Sequence, residues 1–267
     1  VNSPEAVKTA AADIPAGTSK PSTEVQRVLA KWKASASQVR TFRADFVRFK
    51  YDHIFNLERR SRGSLIYAAP NIGRIDFRPS SVNPGAVSER MGRNGKHYKL
   101  ESDRSRETWI FTQQKVYQVS HETQQVEVFS KPIRRTDGRK ASFFEAIAIA
   151  FFDITRVRLA LFATWRPFME TEFDWELVNQ TSSRLQLKGV PRTERLKSNY
   201  SEIGVLLDAR TFRVRAIKFV DPAKNTETIF SLQNILVNID DNAVEFADDR
   251  RIETPNLPGY KWIEHGK

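Results

Sequence analysis

The sequence contains no cysteine, which excludes a disulfide framework, a thiolate nucleophile and any cysteine-based metal site. Nor does any apolar run approach the roughly 18 residues that a helix needs to cross a bilayer. The longest such stretch runs only from Ala146 to Phe152. Neither a Gly-x-Ser-x-Gly elbow, nor a phosphate-binding Gly-x4-Gly-Lys loop, nor a Gly-x-Gly-x-x-Gly turn occurs, so the common nucleophile and nucleotide chemistries have no motif to rest on. Histidine is scarce: His53, His97, His121 and His265 are too dispersed for a helical ligand pair, and no metal and no cofactor are expected. Acidic residues are outnumbered 32 to 43, leaving a net charge of +11. That excess suits an anionic partner surface, and equally an ordinary solvated basic one. The chain opens at Val1 without Met or an apolar leader, which suggests a trimmed or a processed protein and would leave any export signal out of sight.

Core-forming residues are plentiful. Apolar residues make up 40%, with 18 Phe and 5 Trp, and each buried aromatic removes roughly 150 to 250 Å² from water. Residues 1–21, rich in Ala, Pro, Ser and Thr, read as a mobile tail, with 22–267 as one domain. Thr23 and Gln26 form a capping-box pattern ahead of Val25, Val28, Leu29 and Trp32, which predicts a helix over 23–38. At Phe42 the period becomes two, with Phe42, Ala44 and Phe46 on one side; Val47 then shifts the phase towards Phe49 and Tyr51, which predicts a bulge. Hairpins follow to residue 129, and Asn94-Gly95 fits a tight type I′ turn. A second meander starts at Phe173, with turns at Asp208–Arg210 and Asp221–Asn225. From Asp240 the chain reads as irregular, because Pro255 and Pro258 block a ladder.

Between the two meanders the character changes. Ser142 and Glu145 form a second capping box, opening a helix over 142–152 whose Phe143, Phe144, Ile147 and Phe151 share one side. Asp153 caps a further helix carrying Leu161 and Trp165. The Phe-rich helix fits either an ordinary core plug or a displaceable one, since a concave apolar surface must be closed when empty. Just before it, Lys131, Arg134, Arg135, Arg139 and Lys140 form a basic cluster suited to headgroups, an acidic partner or plain solvent. Nucleic acid is not expected: the basic and aromatic residues of RTFRADFVRFKY and TFRVRAIKFV alternate as strands do, whereas a stacking platform exposes both on one face. The carboxylate pairs Asp240-Asp241 and Asp248-Asp249 read as solvated loop charges, so the protein is not expected to be an enzyme.

The stretch GSLIYAAPNIGRIDF, from Gly63 to Phe77, reads as strand, rigid turn, strand. With the helix before it, TWIFTQQKVYQVSHETQQVEVF after it, the Phe-rich block and the final meander, it resembles the bacterial outer-membrane lipoprotein carrier (LolA/LolB-like) family. The pattern is most similar to the planctomycete LolA-like domain family and covers about residues 23–240. The resemblance implies a mainly β (α+β) fold: an unclosed antiparallel half-barrel of about eleven strands, covered by the N-terminal and mid-chain helices. It further implies an exported periplasmic or envelope protein, non-enzymatic, that carries lipid or lipoprotein acyl chains; a monomer is expected, and the basic charge adds an anionic membrane surface as a further partner. The cavity would then be lined by Phe46, Phe49, Ile66, Ile75, Phe77, Trp109, Phe111, Tyr117, Phe144, Ile147, Phe151, Leu161 and Trp165. Where the family has an Arg-Pro pair whose arginine holds the lid helices closed, this chain has Ala69-Pro70, which leaves Arg74 as the lid or hinge candidate. Gln113 and Gln114 likewise stand where the family commonly has Asp-Gly. The alternative is an envelope scaffold with a self-filled barrel and a basic partner-binding surface.

Overall fold

A computed structural model describes residues 22–68, 72–112, 114–130, 168–239 and 255–265. The tail at 1–21, the Ala-Pro-Asn turn at 69–71 and the two helices expected within 142–165 lie outside these residues.

Helix α1 (Thr23–Ser37) starts one residue from where the capping box placed its cap: Ser22 is the N-cap, and its hydroxyl accepts from the Val25 N–H at 3.3 Å. Val25, Val28, Leu29, Trp32 and Ala36 form its buried stripe, at the spacing read from the sequence. Each such apolar side chain contributes roughly 1.5–3 kcal/mol on full burial. Trp32 is 2% exposed and meets Trp175 edge-on, with ring centroids 5.7 Å apart.

The first meander comprises β1 (Thr41–Asp52), β2 (Leu57–Ala68), β3 (Ile72–Pro79), a side hairpin of β4 (Val87–Met91) and β5 (His97–Ser102), then β6 (Glu107–Phe111), β7 (Lys115–Ser120) and β8 (Gln125–Ser130). The second comprises β9 (Phe173–Gln180), β10 (Arg184–Pro191), β11 (Glu202–Asp208), β12 (Val214–Val220) and β13 (Thr226–Val237). A last strand, β14 (Lys261–His265), follows. Among the described residues these 14 strands form one mixed sheet in the order β14-β8-β7-β6-β3-β2-β1-β13-β12-β11-β10-β9, with β5 pairing to β2 and β4 to β5. The eleven strands from β8 to β9 along that order are antiparallel throughout, the two meanders being joined by β1 against β13. The ends β14 and β9 do not pair, so the half-barrel is unclosed.

Three local expectations are corrected. The C-terminal stretch is not irregular throughout: β14 adds in parallel to β8, because Pro255 and Pro258 precede the ladder instead of interrupting it. A second parallel pair, β2 with β5, makes the sheet mixed. The bulge lies in β13, not in β1. There Asn234 takes a φ of 49°, and the pairing steps from Arg43–Leu236 to Asp45–Gln233, while β1 keeps unbroken register with β2. Asn tolerates that left-handed conformation. Nor is the Asn94-Gly95 turn a two-residue type I′ turn. Gly92 N–H donates to the Lys96 carbonyl at 2.7 Å, and the Asn94 side chain accepts from Lys96 N–H, so Gly95 alone takes positive φ.

The turn after β11 is fixed by Asp208, which accepts from the backbone N–H groups of Arg210 (3.1 Å) and Thr211 (2.9 Å) and pairs with Arg215 at 2.9 Å. The Thr211 N–H, aided by Arg215, overrides burial and holds its carboxyl far below the usual carboxylate range. A group depressed in the folded state stabilises fully above its unfolded pKa and loses that contribution as pH falls through the folded one. Asp208→Ala is therefore expected to cost about 1 kcal/mol in urea unfolding above pH ~4, as loss of a cap does. The gap to wild type should narrow in stronger acid, and a constant gap would assign the loss to something other than the carboxylate.

Candidate ligand-binding face

Strand alternation sends one set of side chains towards α1, the inner face, and the other set outward. Inward go Phe42, Ala44 and Phe46 from β1, Leu65 and Tyr67 from β2, Ile75 and Phe77 from β3, and Phe111 from β6, all buried in one cluster with α1. The second meander adds Trp175, Leu187, Val205, Ile217, Phe219, Phe230 and Leu232 to the same cluster. Rings touch from strand to strand: Phe111 to Trp109 (6.4 Å between centroids), Trp109 to Phe77 (5.9 Å), Phe77 to Phe46 (5.3 Å), Phe46 to Phe230 (5.4 Å), Phe230 to Phe219 (6.3 Å) and Phe219 to Tyr200 (5.3 Å). The path is edge-on or tilted throughout, the geometry that ring quadrupoles favour. At its end the Tyr200 hydroxyl is buried without a hydrogen-bond partner among the described residues.

Of the residues expected to line a cavity, Phe46, Ile75, Phe77, Trp109 and Phe111 share this inner face. Three do not. Phe49 is one residue out of phase with Phe46 once β1 runs without a bulge, and it stacks on Tyr51 under the Arg60 guanidinium on the outer face. Ile66 pairs with Arg74 on the side opposite Leu65 and Ile75. Tyr117 belongs to a separate outer cluster with Ile110, Val119, Val126 and Val128, against which Leu257 and Tyr260 pack. Phe144, Ile147, Phe151, Leu161 and Trp165 lie outside the described residues, as do Lys131, Arg134, Arg135, Arg139 and Lys140. Arg74, the hinge candidate, also stands on the outer face, where its guanidinium grips Asp76 at 2.8 and 3.0 Å; it does not share the inner surface.

One end of the inner face is polar. Continuing the phase of Phe46, Arg48 points inward, buried, with its guanidinium 4.4 Å from the centre of the Phe77 ring. It donates to Asp103 (2.9 Å), Ser61 (2.9 Å) and Ser105 (3.2 Å). Burial opposes ionisation of Asp103, but hydrogen bonds from Ser105 with the charges of Arg48 and Lys50 prevail and hold its carboxyl below the usual value. Lys50 follows Arg48 on the same face, 3.6 Å from the Asp103 carboxylate; burial first, then Arg48, lowers its pKa. Beyond Lys50 an open pocket of about 800 Å³ is bounded by Arg59, Lys99, Glu101, Asp103, Arg104 and the loop at 82–85. Sequence alone misses this end: the bulge expected at Val47 puts Arg48 out of core phase, and Asp103 and Ser105, in a loop, carry no sign.

Each histidine has a structural partner: His53 with Tyr98, His97 with the Ser88 carbonyl, His121 with Thr108 and Tyr260, His265 with Glu127. Among the described residues no three His, Asp or Glu side chains converge as a metal site would require, and no helix is long and apolar enough to cross a membrane.

No protein-family model matches the sequence, and no curated protein matches it significantly. Solved structures are similar in fold. A LolA superfamily protein from Nitrosomonas europaea is 9% identical, with a TM-score of 0.34, over 80% of this chain and 94% of that one. The Mycobacterium tuberculosis lipoprotein LppX is 7% identical, with a TM-score of 0.39, over 82% of this chain and all of the other (100%). An uncharacterized conserved protein from Thermus thermophilus is 9% identical, with a TM-score of 0.44, over 91% and 99% of the two chains.

Proposed function

We propose that this protein binds a hydrophobic ligand, a lipid or the acyl chains of a lipoprotein, along the inner face of its half-barrel, and carries it in the bacterial periplasm or cell envelope without catalysing a reaction. The observation that carries this reading is the continuous apolar path from Phe111 to Tyr200 across five strands and the β10–β11 connection of a sheet that is unclosed among the described residues. An unclosed sheet can part from what covers it, and the surface so uncovered suits chains that bring little beyond apolar area. The close packing of Phe46, Phe77 and Phe230, each no more than 5% exposed, favours the second reading, a self-filled half-barrel that serves as an envelope scaffold.

One experiment separates the two. Native mass spectrometry with lipid extraction, followed by titration of the delipidated protein with a fluorescent acyl chain, is expected to show bound acyl lipid and saturable uptake. Trp109→Glu, at the half-buried margin of the path, should weaken uptake about tenfold, the equivalent of 1.4 kcal/mol. A folded protein that is empty and takes up no chain would support the scaffold.

A further inference from the structure

The pocket beyond Lys50 holds more positive charge than its carboxylates neutralise. Lys50, Arg59, Lys99 and Arg104 face it against Glu101 and Asp103 alone. Glu101 is already shared by Arg59 (3.7 Å) and Lys99 (3.1 Å), and the same Asp103 oxygen is shared by Arg48 (2.9 Å) and Lys50 (3.6 Å). Arg104 makes no ion pair among the described residues. The pocket also has a fixed place relative to the apolar face: along β1, Phe46, Arg48 and Lys50 succeed one another on one side, each pair of residues spanning roughly 7 Å. The Arg48–Asp103 pair, stacked on Phe77, is the wall between them.

We propose that this pocket receives the anionic head, a phosphate or carboxylate, of an amphiphile whose chain lies on the inner face. The inference rests on the carrier reading above and narrows its ligand class from any lipid to anionic ones. Charge complementarity supports it: among the described residues the lining carries four cations against two carboxylates, each carboxylate already shared, so an anion is favoured there. So does size, since about 800 Å³ falls within the range of small-molecule sites. The direction of the Lys50 shift agrees: burial and Arg48 lower its pKa, and an anion beside it would act in the opposite sense.

The test titrates delipidated protein at low salt with lysophosphatidic acid and with the monoacylglycerol of the same chain, which differ only in the charged head. The anionic ligand should bind about tenfold more tightly, as one or two charge-assisted contacts allow, and the ratio should shrink with added salt. Lys50→Gln and, separately, Arg104→Gln should bring the ratio towards one. Equal binding of both ligands by the wild type overturns the head pocket and leaves the carrier reading standing. Binding of neither, by protein with native circular dichroism, overturns both. Glycerol phosphate without a chain should compete only weakly; if it binds as tightly as lysophosphatidic acid, the pocket is a free-anion site and the amphiphile proposal fails.

Discussion

Replacing Gly63 with alanine is expected to lower stability by about 3 kcal/mol, at the upper end of the penalty for overpacking. Gly63 sits in β2 between Phe46 of β1 and Phe77 of β3, and the two rings meet across it at 5.3 Å. A methyl group there would lie 1.9 Å from the Asp76 carbonyl oxygen and 2.4 Å from the Phe46 ring. The carbonyl belongs to a laddered strand and cannot step aside without shifting β3, so both backbone and ring must move. For a chain of this size such a loss corresponds to roughly 6–12 °C in melting temperature. Gly204→Ala is the control: the atoms nearest its added carbon are Cε and Cβ of Lys218, at 3.1 and 3.2 Å, so the neighbour need give by only a few tenths of an ångström. The control should stay within about 1 kcal/mol of wild type. Equal tolerance of both substitutions would mean that the two rings do not close over Gly63 in solution.

Asp103→Ala is expected to cost about 3–5 kcal/mol, because it leaves the Arg48 guanidinium buried without its carboxylate. The side chains of Arg48 and Asp103 are only 8% and 11% exposed, so water cannot take over the lost contact, as it does at surface pairs. Removing both charges together, with Arg48→Met and Asp103→Leu, should recover more than half of that loss. Replacing a buried pair by apolar groups is often neutral, whereas orphaning one partner is not. A double-mutant cycle in urea measures the coupling. The Asp103 carboxyl is held below its usual value in the fold, so its contribution is complete above pH ~4 and fades as pH falls further. Additive single losses would show that the pair is not a coupled, desolvated unit.

How far the sequence announced this arrangement varies with the physical clarity of each signal. Val25, Val28, Leu29 and Trp32 buried one side of a helix as their spacing required, because α1 has a single wet side. Phe42, Ala44 and Phe46 likewise faced inward together. The phase was lost at Phe49, since an aromatic out of phase looks like a bulge when its outward stacking on Tyr51 and Arg60 is invisible. Tyr117 misled for a different reason: Leu257 and Tyr260 pack on the outside of β6–β8, so both faces of those strands are apolar and alternation is blurred. Strand β14 pairs with β8 from far along the chain, a contact that local pattern cannot encode. The polar end was the least legible. The bulge expected at Val47 put Arg48 out of core phase, and its role depends on Asp103 and Ser105, which are brought to it by β5 running beside β2.

The central claim, that acyl chains lie along the inner face, is tested most directly by photo-crosslinking. Folded protein would be loaded with a fatty acid carrying a diazirine on its chain, irradiated, digested and mapped by mass spectrometry. Labels on Trp109, Phe111 and their inner-face neighbours, absent when unlabelled fatty acid competes, are the result expected. Labels confined to Tyr117 and Trp262 on the outer face, or none on a protein shown to be folded, would contradict it.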